Sequence, residues 1–179
     1  MRLAIALAAS LALFAASPGA RVSRVSLAHM ERSIDTRVAV LDAEDRGLVL
    51  GRTRGVYLDG YGVVFTAEVD LLPSVAPNPF SGQTYTKEDI LRIKGKKQLK
   101  IALLKQKMRD TLISAAAPLD NVPGDERIAM AVTIPYYSWE DSTGLPKQIL
   151  MTAPRNVLLK GSKGDTLAVD NAVKVEEFF

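Results

Sequence analysis

The sequence predicts an α+β fold: a single antiparallel sheet of two hairpins, with a long amphipathic helix packed on it and flanking helices. Three observations predict it. Apolar residues repeat at helical spacing over 26–41 and 87–116. They alternate with period two over 48–69, 128–134 and 147–153, and Gly- and Pro-rich breaks separate these stretches. Consecutive strands joined by short turns pair antiparallel, and helices must cover a sheet face.

Residues 1–20, MRLAIALAASLALFAASPGA, read as a signal peptide. Arg2 gives a positive start, Leu3 to Ala16 is an unbroken apolar run, and small residues place cleavage near Gly19 or Ala20. The run is too short for a membrane span, which needs about 20 apolar residues. The expected product is periplasmic or secreted, of bacterial type, and forms one domain over 21–179 with no integral membrane segment after cleavage. The chain has no cysteine, so packing alone must hold it, and thiol chemistry and Cys-bound zinc are excluded.

In the first helix Leu27, Met30, Ile34, Val38 and Leu41 share a face, and Ser26 is the expected N-cap. His29, the only histidine, reads as a surface residue, because histidine metal sites need partners. Two half-buried strands follow: Val56 and Leu58 alternate with Tyr57, and Val63, Phe65, Ala67 and Val69 alternate with Val64, Thr66 and Glu68. Between them Asp59-Gly60-Tyr61-Gly62 carries the chemistry of a tight reversal. PSVAPNPFSGQ, with three prolines, reads as an exposed loop.

The long helix starts at Thr86, with Glu88 and Asp89 in its first turn. Ile90, Ile93, Ile101, Leu104, Met108, Leu112 and Ala115 form its stripe, Gly95 is a potential bend, and Pro118 and the DNVPGD turn end it. RIAMAVT and KQILMTA are the second strand pair, with EDSTGLP as their turn. PRNVLLKGSKG suggests one helical turn. Asp165 or Thr166 caps a last helix with Ala168, Ala172, Val175 and Phe179 along one side.

The chain lacks a dinucleotide fingerprint, a P-loop, a nucleophile elbow, HExxH and SxxK. GSKG at 161–164 reads as a turn. No cofactor, metal or catalytic residue is assigned. Of the carboxylates, Asp59, Glu68 and Asp70 lie near the first hairpin, and Glu140 and Asp141 follow Trp139. Glu68 and Asp70 share a strand face that reads as the solvated side. Tyr57, Tyr61, Phe65, Tyr136, Tyr137 and Trp139 gather in the two strand regions. Sheet packing accounts for most of them, and a shared aromatic patch for a ligand is the alternative.

The strongest electrostatic feature is residues 87–109, with nine Lys/Arg against Glu88 and Asp89. That segment is +7 in a chain of +3, so the remainder sums to −4. Such a stripe suits an anionic envelope component or an acidic protein, with Lys94, Lys96, Lys97 and Lys100 as the contacts. Read structurally, it is the wet face of an amphipathic helix. No motif of nucleic-acid recognition accompanies it.

RTRGVYLDGYGVVFTAEVDLL, with YYSWEDSTGLPKQILMTAPR downstream, resembles a group of uncharacterised exported proteins of Acidobacteria-type bacteria. The resemblance implies an exported bacterial protein and transfers no active site. The order of elements is similar to Roadblock/profilin-like modules, which are mainly interaction scaffolds. The expected function is therefore non-enzymatic binding. The alternative is a hydrolase or metal-dependent enzyme built on carboxylates near the 55–69 hairpin, with Asp59 and Tyr61 as contacts.

Overall fold

The computed structural model describes residues 22–41, 47–73 and 85–179. The leader expected at 1–20 and most of the loops read at 42–47 and 73–83 lie outside the described residues. The strands are β1 (Leu48–Val49), β2 (Arg54–Leu58), β3 (Gly62–Asp70), β4 (Arg127–Thr133), β5 (Gln148–Pro154) and β6 (Lys174–Phe178). The helices are α1 (Arg24–Ala39), α2 (Lys87–Ala115), α3 (Arg155–Gly161) and α4 (Thr166–Ala172).

The expected class holds: one sheet, mostly antiparallel, with helices on it. β1 and β2 pair in succession with β3, then β4, β5 and β6 follow. Both expected hairpins form, β2–β3 and β4–β5. They join differently from expectation, because β3 and β4 run parallel, from Gly62 opposite Arg127 to Glu68 opposite Thr133. The reason is α2 itself. Its 29 residues extend about 43 Å at 1.5 Å per residue and carry the chain back along the sheet. The next strand therefore starts where β3 started.

Period two sorts the strand side chains. Val63, Phe65, Ala67 and Val69 of β3, Ile128, Met130 and Val132 of β4, and Ile149, Met151 and Ala153 of β5 join one core. Leu27 and Ile34 of α1, Leu104 and Met108 of α2, Leu158 of α3 and Val169 of α4 complete it. All four described helices thus pack on one face, and none of them covers the other. Val56 and Leu58 point to that open face, 49% and 46% exposed, while Tyr57 packs on the core.

Local chemistry sets the ends. The cap of α1 is Ser23, whose hydroxyl accepts from the Ser26 N–H, three residues earlier than expected. α2 opens on a reciprocal capping box between Thr86 and Asp89 and runs on through Gly95. Asp165 caps α4. That helix stops at Ala172, and Val175, expected on its stripe, lies instead in β6. The free edge of β5 takes up Lys174–Phe178 as a fifth ladder position, and ladder hydrogen bonds outweigh the short helical pattern.

Candidate functional site

The carboxyl ends of β3 and β4, the one parallel pair among the described strands, meet around a cleft of ≈ 240 Å³. In sheets with parallel strands, ligands bind beyond the strands' carboxyl ends. Leu48 and Leu50 form one wall, Pro135, Tyr136 and Tyr137 the other, and Pro73 and Asp70 lie between. The only charged group among these is Asp70, 4% exposed. Its Oδ1 accepts from the Leu72 N–H at 3.0 Å and its Oδ2 from the Tyr137 hydroxyl at 3.2 Å. Among the described residues both partners are neutral. Burial, then the Asp70 charge, pushes the Tyr137 phenol up from its ordinary value, which keeps it a donor.

Behind the walls stand the lysines of α2. Lys97, 1% exposed, donates to Glu140 Oε2 at 2.6 Å and to the Pro135 carbonyl at 3.3 Å. Its ammonium lies 4.6 Å from the centre of the Tyr136 ring. Lys100, 5% exposed, donates to the Leu71 carbonyl at 2.8 Å. One lysine therefore holds the β4 rim of the cleft and the other the β3 rim. Lys94 adds a bond of 2.7 Å to Asp141. That bond, then the Thr143 N–H, lowers the Asp141 carboxyl to about 2.

Trp139 lies between two tyrosines, 4.1 Å from the Tyr85 ring centre and 5.8 Å from that of Tyr137. Its Nε1 and the Oε1 of Glu140 are buried without a hydrogen-bond partner among the described residues. Tyr136 and Tyr137 line the cleft and Trp139 backs it. The aromatic residues following β4 are thus a patch around the cleft. Tyr57, Tyr61 and Phe65 are elsewhere.

The four lysines read from the sequence as one anion-binding face do not form one. Lys97 and Lys100 point inward, Lys94 is ion-paired, and Lys96 alone is exposed without an ion pair among the described residues. Asp59 and Tyr61 lie on the exposed β2–β3 turn, at the opposite end of the sheet from the cleft. That turn is closed by the Tyr61 N–H on the Leu58 carbonyl and docked by Glu126, which accepts from the Gly60 N–H. Asp59, Glu68 and Asp70 do not converge. Glu68 is on the solvated side as expected, but Asp70 is buried under the loop that follows β4. His29 is exposed. Among the described residues no group of three or more His, Cys, Asp or Glu is placed to hold a metal, and no helix is long and apolar enough to cross a membrane.

Sequence reasoning missed Asp70, Tyr136 and Tyr137 as a unit, because Asp70 and Tyr137 lie 67 residues apart. The one available signal was that both segments end strands flanking the long helix. The chain matches no protein-family model, no curated protein and no solved structure.

Proposed function

We propose that this chain is a non-enzymatic binding domain of an exported bacterial protein, and that its ligand site is the cleft at the carboxyl ends of β3 and β4. The ligand is an apolar group or segment bearing an amine or guanidinium. The observation that carries this reading is Asp70. A carboxylate buried among leucine, proline and tyrosine side chains, with only neutral hydrogen-bond partners among the described residues, is completed by a cation that brings its own apolar surface. Tyr136 and Tyr137 favour the same ligand, since aromatic faces attract cations. The anionic partner expected from the basic helix has less support, because two of its four lysines are buried within the fold. The apolar run over 3–16 supports export.

Trp139, the only tryptophan, stacks on the cleft-lining Tyr137 and reports occupancy by its fluorescence. The test titrates the protein with phenethylamine and with its neutral counterpart phenethyl alcohol. Saturable quenching by the amine, at least about tenfold tighter than by the alcohol, or about 1.4 kcal/mol, is expected, with the difference abolished by Asp70→Asn. Equal affinity for the two compounds, or an amine preference that survives Asp70→Asn, overturns the assignment.

A further inference from the structure

Between α1 and α2 lies a pocket that shares no lining residue with the cleft. We propose that it binds inorganic phosphate in its protonated form. The inference rests on the polar groups around this pocket and does not depend on the ligand of the cleft.

The pocket measures ≈ 160 Å³ and is lined by Arg37, Val40, Lys107, Asp110 and Thr111. Sites for drug-sized molecules begin at about 300 Å³, so this one suits a small ion. The helical repeat assembles it. Lys107, Asp110 and Thr111 stand at i, i+3 and i+4 on one face of α2, and Arg37 and Val40 stand at i and i+3 in the last turn and cap of α1. Val38 and Met108, each one residue beyond a cation, are fully buried in the core and anchor both walls.

The donors have capacity left. The Arg37 Nε reaches Ser33 Oγ at 3.4 Å, but the Arg37 guanidinium makes no ion pair among the described residues. Lys107 makes neither a hydrogen bond nor an ion pair among them. Thr111 is 2% exposed, and its buried hydroxyl has no partner among the described residues, not even the carbonyl one turn back. A buried donor without an acceptor is unfavourable, and a ligand oxygen removes that cost. Threonine has two rotamers open to it in a helix, and exchange between them turns the hydroxyl towards the pocket. Two cations from different helices and a hydroxyl thus converge on an oxyanion.

Asp110 selects which oxyanion. Its Oδ1 is 3.9 Å from a nitrogen of Arg109, whose guanidinium is already bonded to Asp170. The last carbonyls of α1 add the negative pole of that helix. Both repel a fully deprotonated anion, and sulfate is one. Inorganic phosphate keeps at least one proton at neutral pH. It donates that proton to Asp110 while its other oxygens accept from Arg37, Lys107 and Thr111. A phosphate monoester, with a second pKa of about 6, has mostly lost the proton at pH 7.

Titration calorimetry of the full chain, dialysed free of phosphate, tests the site with sodium phosphate and sodium sulfate at pH 7 and fixed ionic strength. Phosphate is expected to saturate the protein with a Kd below about 1 mM, and sulfate to bind at least about tenfold more weakly. Arg37→Gln weakens phosphate at least about tenfold. Asp110→Asn, whose amide donates as well as accepts, brings the two anions to within about threefold of each other. Thermal melts of the two variants verify that these exposed substitutions leave the fold intact. Absence of saturable phosphate binding, equal affinity for the two anions, or a phosphate preference that survives Asp110→Asn overturns the proposal.

Discussion

The Lys97–Glu140 pair offers the sharpest test of the reasoning about α2. Both side chains are buried, 1% and 3% exposed, and meet at 2.6 Å. Replacing Lys97 by Met keeps the length of the side chain and removes the charge. Glu140 is then left as an uncompensated buried carboxylate whose Oε1 already lacks a partner among the described residues. Breaking such a pair from one side costs about 3–5 kcal/mol. In a domain of this size each kcal/mol moves the melting temperature about 2–4 °C, so Lys97→Met should lower it by about 10 °C.

The double variant Lys97→Met/Glu140→Met separates attraction from desolvation. With both charges gone, the remaining losses are the donor to the Pro135 carbonyl and the contact with the Tyr136 ring. Those amount to about 1–2 kcal/mol. The double variant should therefore be more stable than either single one, with a coupling of at least about 4 kcal/mol in urea-denaturation cycles. A single variant that loses less than about 1 kcal/mol would refute the burial of the pair. Additive single losses would refute its coupling. Because the pair holds the β4 rim of the cleft, the single variants should also shift Trp139 emission to the red.

Two other tests address the turn and the acid limb. A Cβ on Gly62, at φ +124°, would meet the Arg127 carbonyl oxygen at 1.9 Å, whereas one on Gly60, at φ +74°, meets nothing within 4 Å. Chemical denaturation should show Gly62→Ala losing more than about 3 kcal/mol and Gly60→Ala only about 1 kcal/mol; comparable losses would contradict the backbone approach. The folded-state pKa of Asp141 is lowered from 3.8 to about 2. Its stabilising contribution is therefore present above the unfolded value and lost as pH falls from about 4 towards 2. Asp141→Asn should flatten stability against pH in that window and leave the slope unchanged above pH ~5, as read by denaturation at fixed pH.

Much of the fold was legible because periodicity reports which face of an element is buried. The stripe of α2, the alternation in β3 and β4, and the Asp59–Gly62 turn all follow from spacing and backbone preference. Lys97 was legible too. Between Ile93 and Ile101 the stripe takes a step of eight positions, and Lys97 stands at the missing step of four. Its burial is written in the period, although its charge made it read as surface. The acids that receive the lysines were not legible. Glu140 is 43 residues from Lys97 and Asp141 is 47 from Lys94, and no local rule brings such pairs together. β6 was missed for a related reason. Over 165–179 the apolar spacing fits a helix, and only the open edge of β5 decides for a strand. The parallel junction was missed because the long helix between the two hairpins was not counted as a pass across the sheet.

The same tertiary contacts give the charge imbalance its meaning. Lys94 and Lys97 reach Asp141 and Glu140 beyond β4, Lys105 reaches Glu177 on β6, and Arg109 reaches Asp170 on α4. Arg92 pairs within the helix to Asp89. The +7 of the segment and the −4 of the remainder are thus mostly matched to one another through intramolecular bonds. Lys87, Lys96 and Lys107 make no ion pair among the described residues, and three separated cations on one helix do not concentrate a field. Salt should therefore act on this protein mainly through stability, by screening the exposed pairs. The cleft draws on the same arrangement. By directing its lysines to the loop beyond β4 and the end of β3, α2 fixes both rims and leaves Asp70 between them with only neutral partners among the described residues.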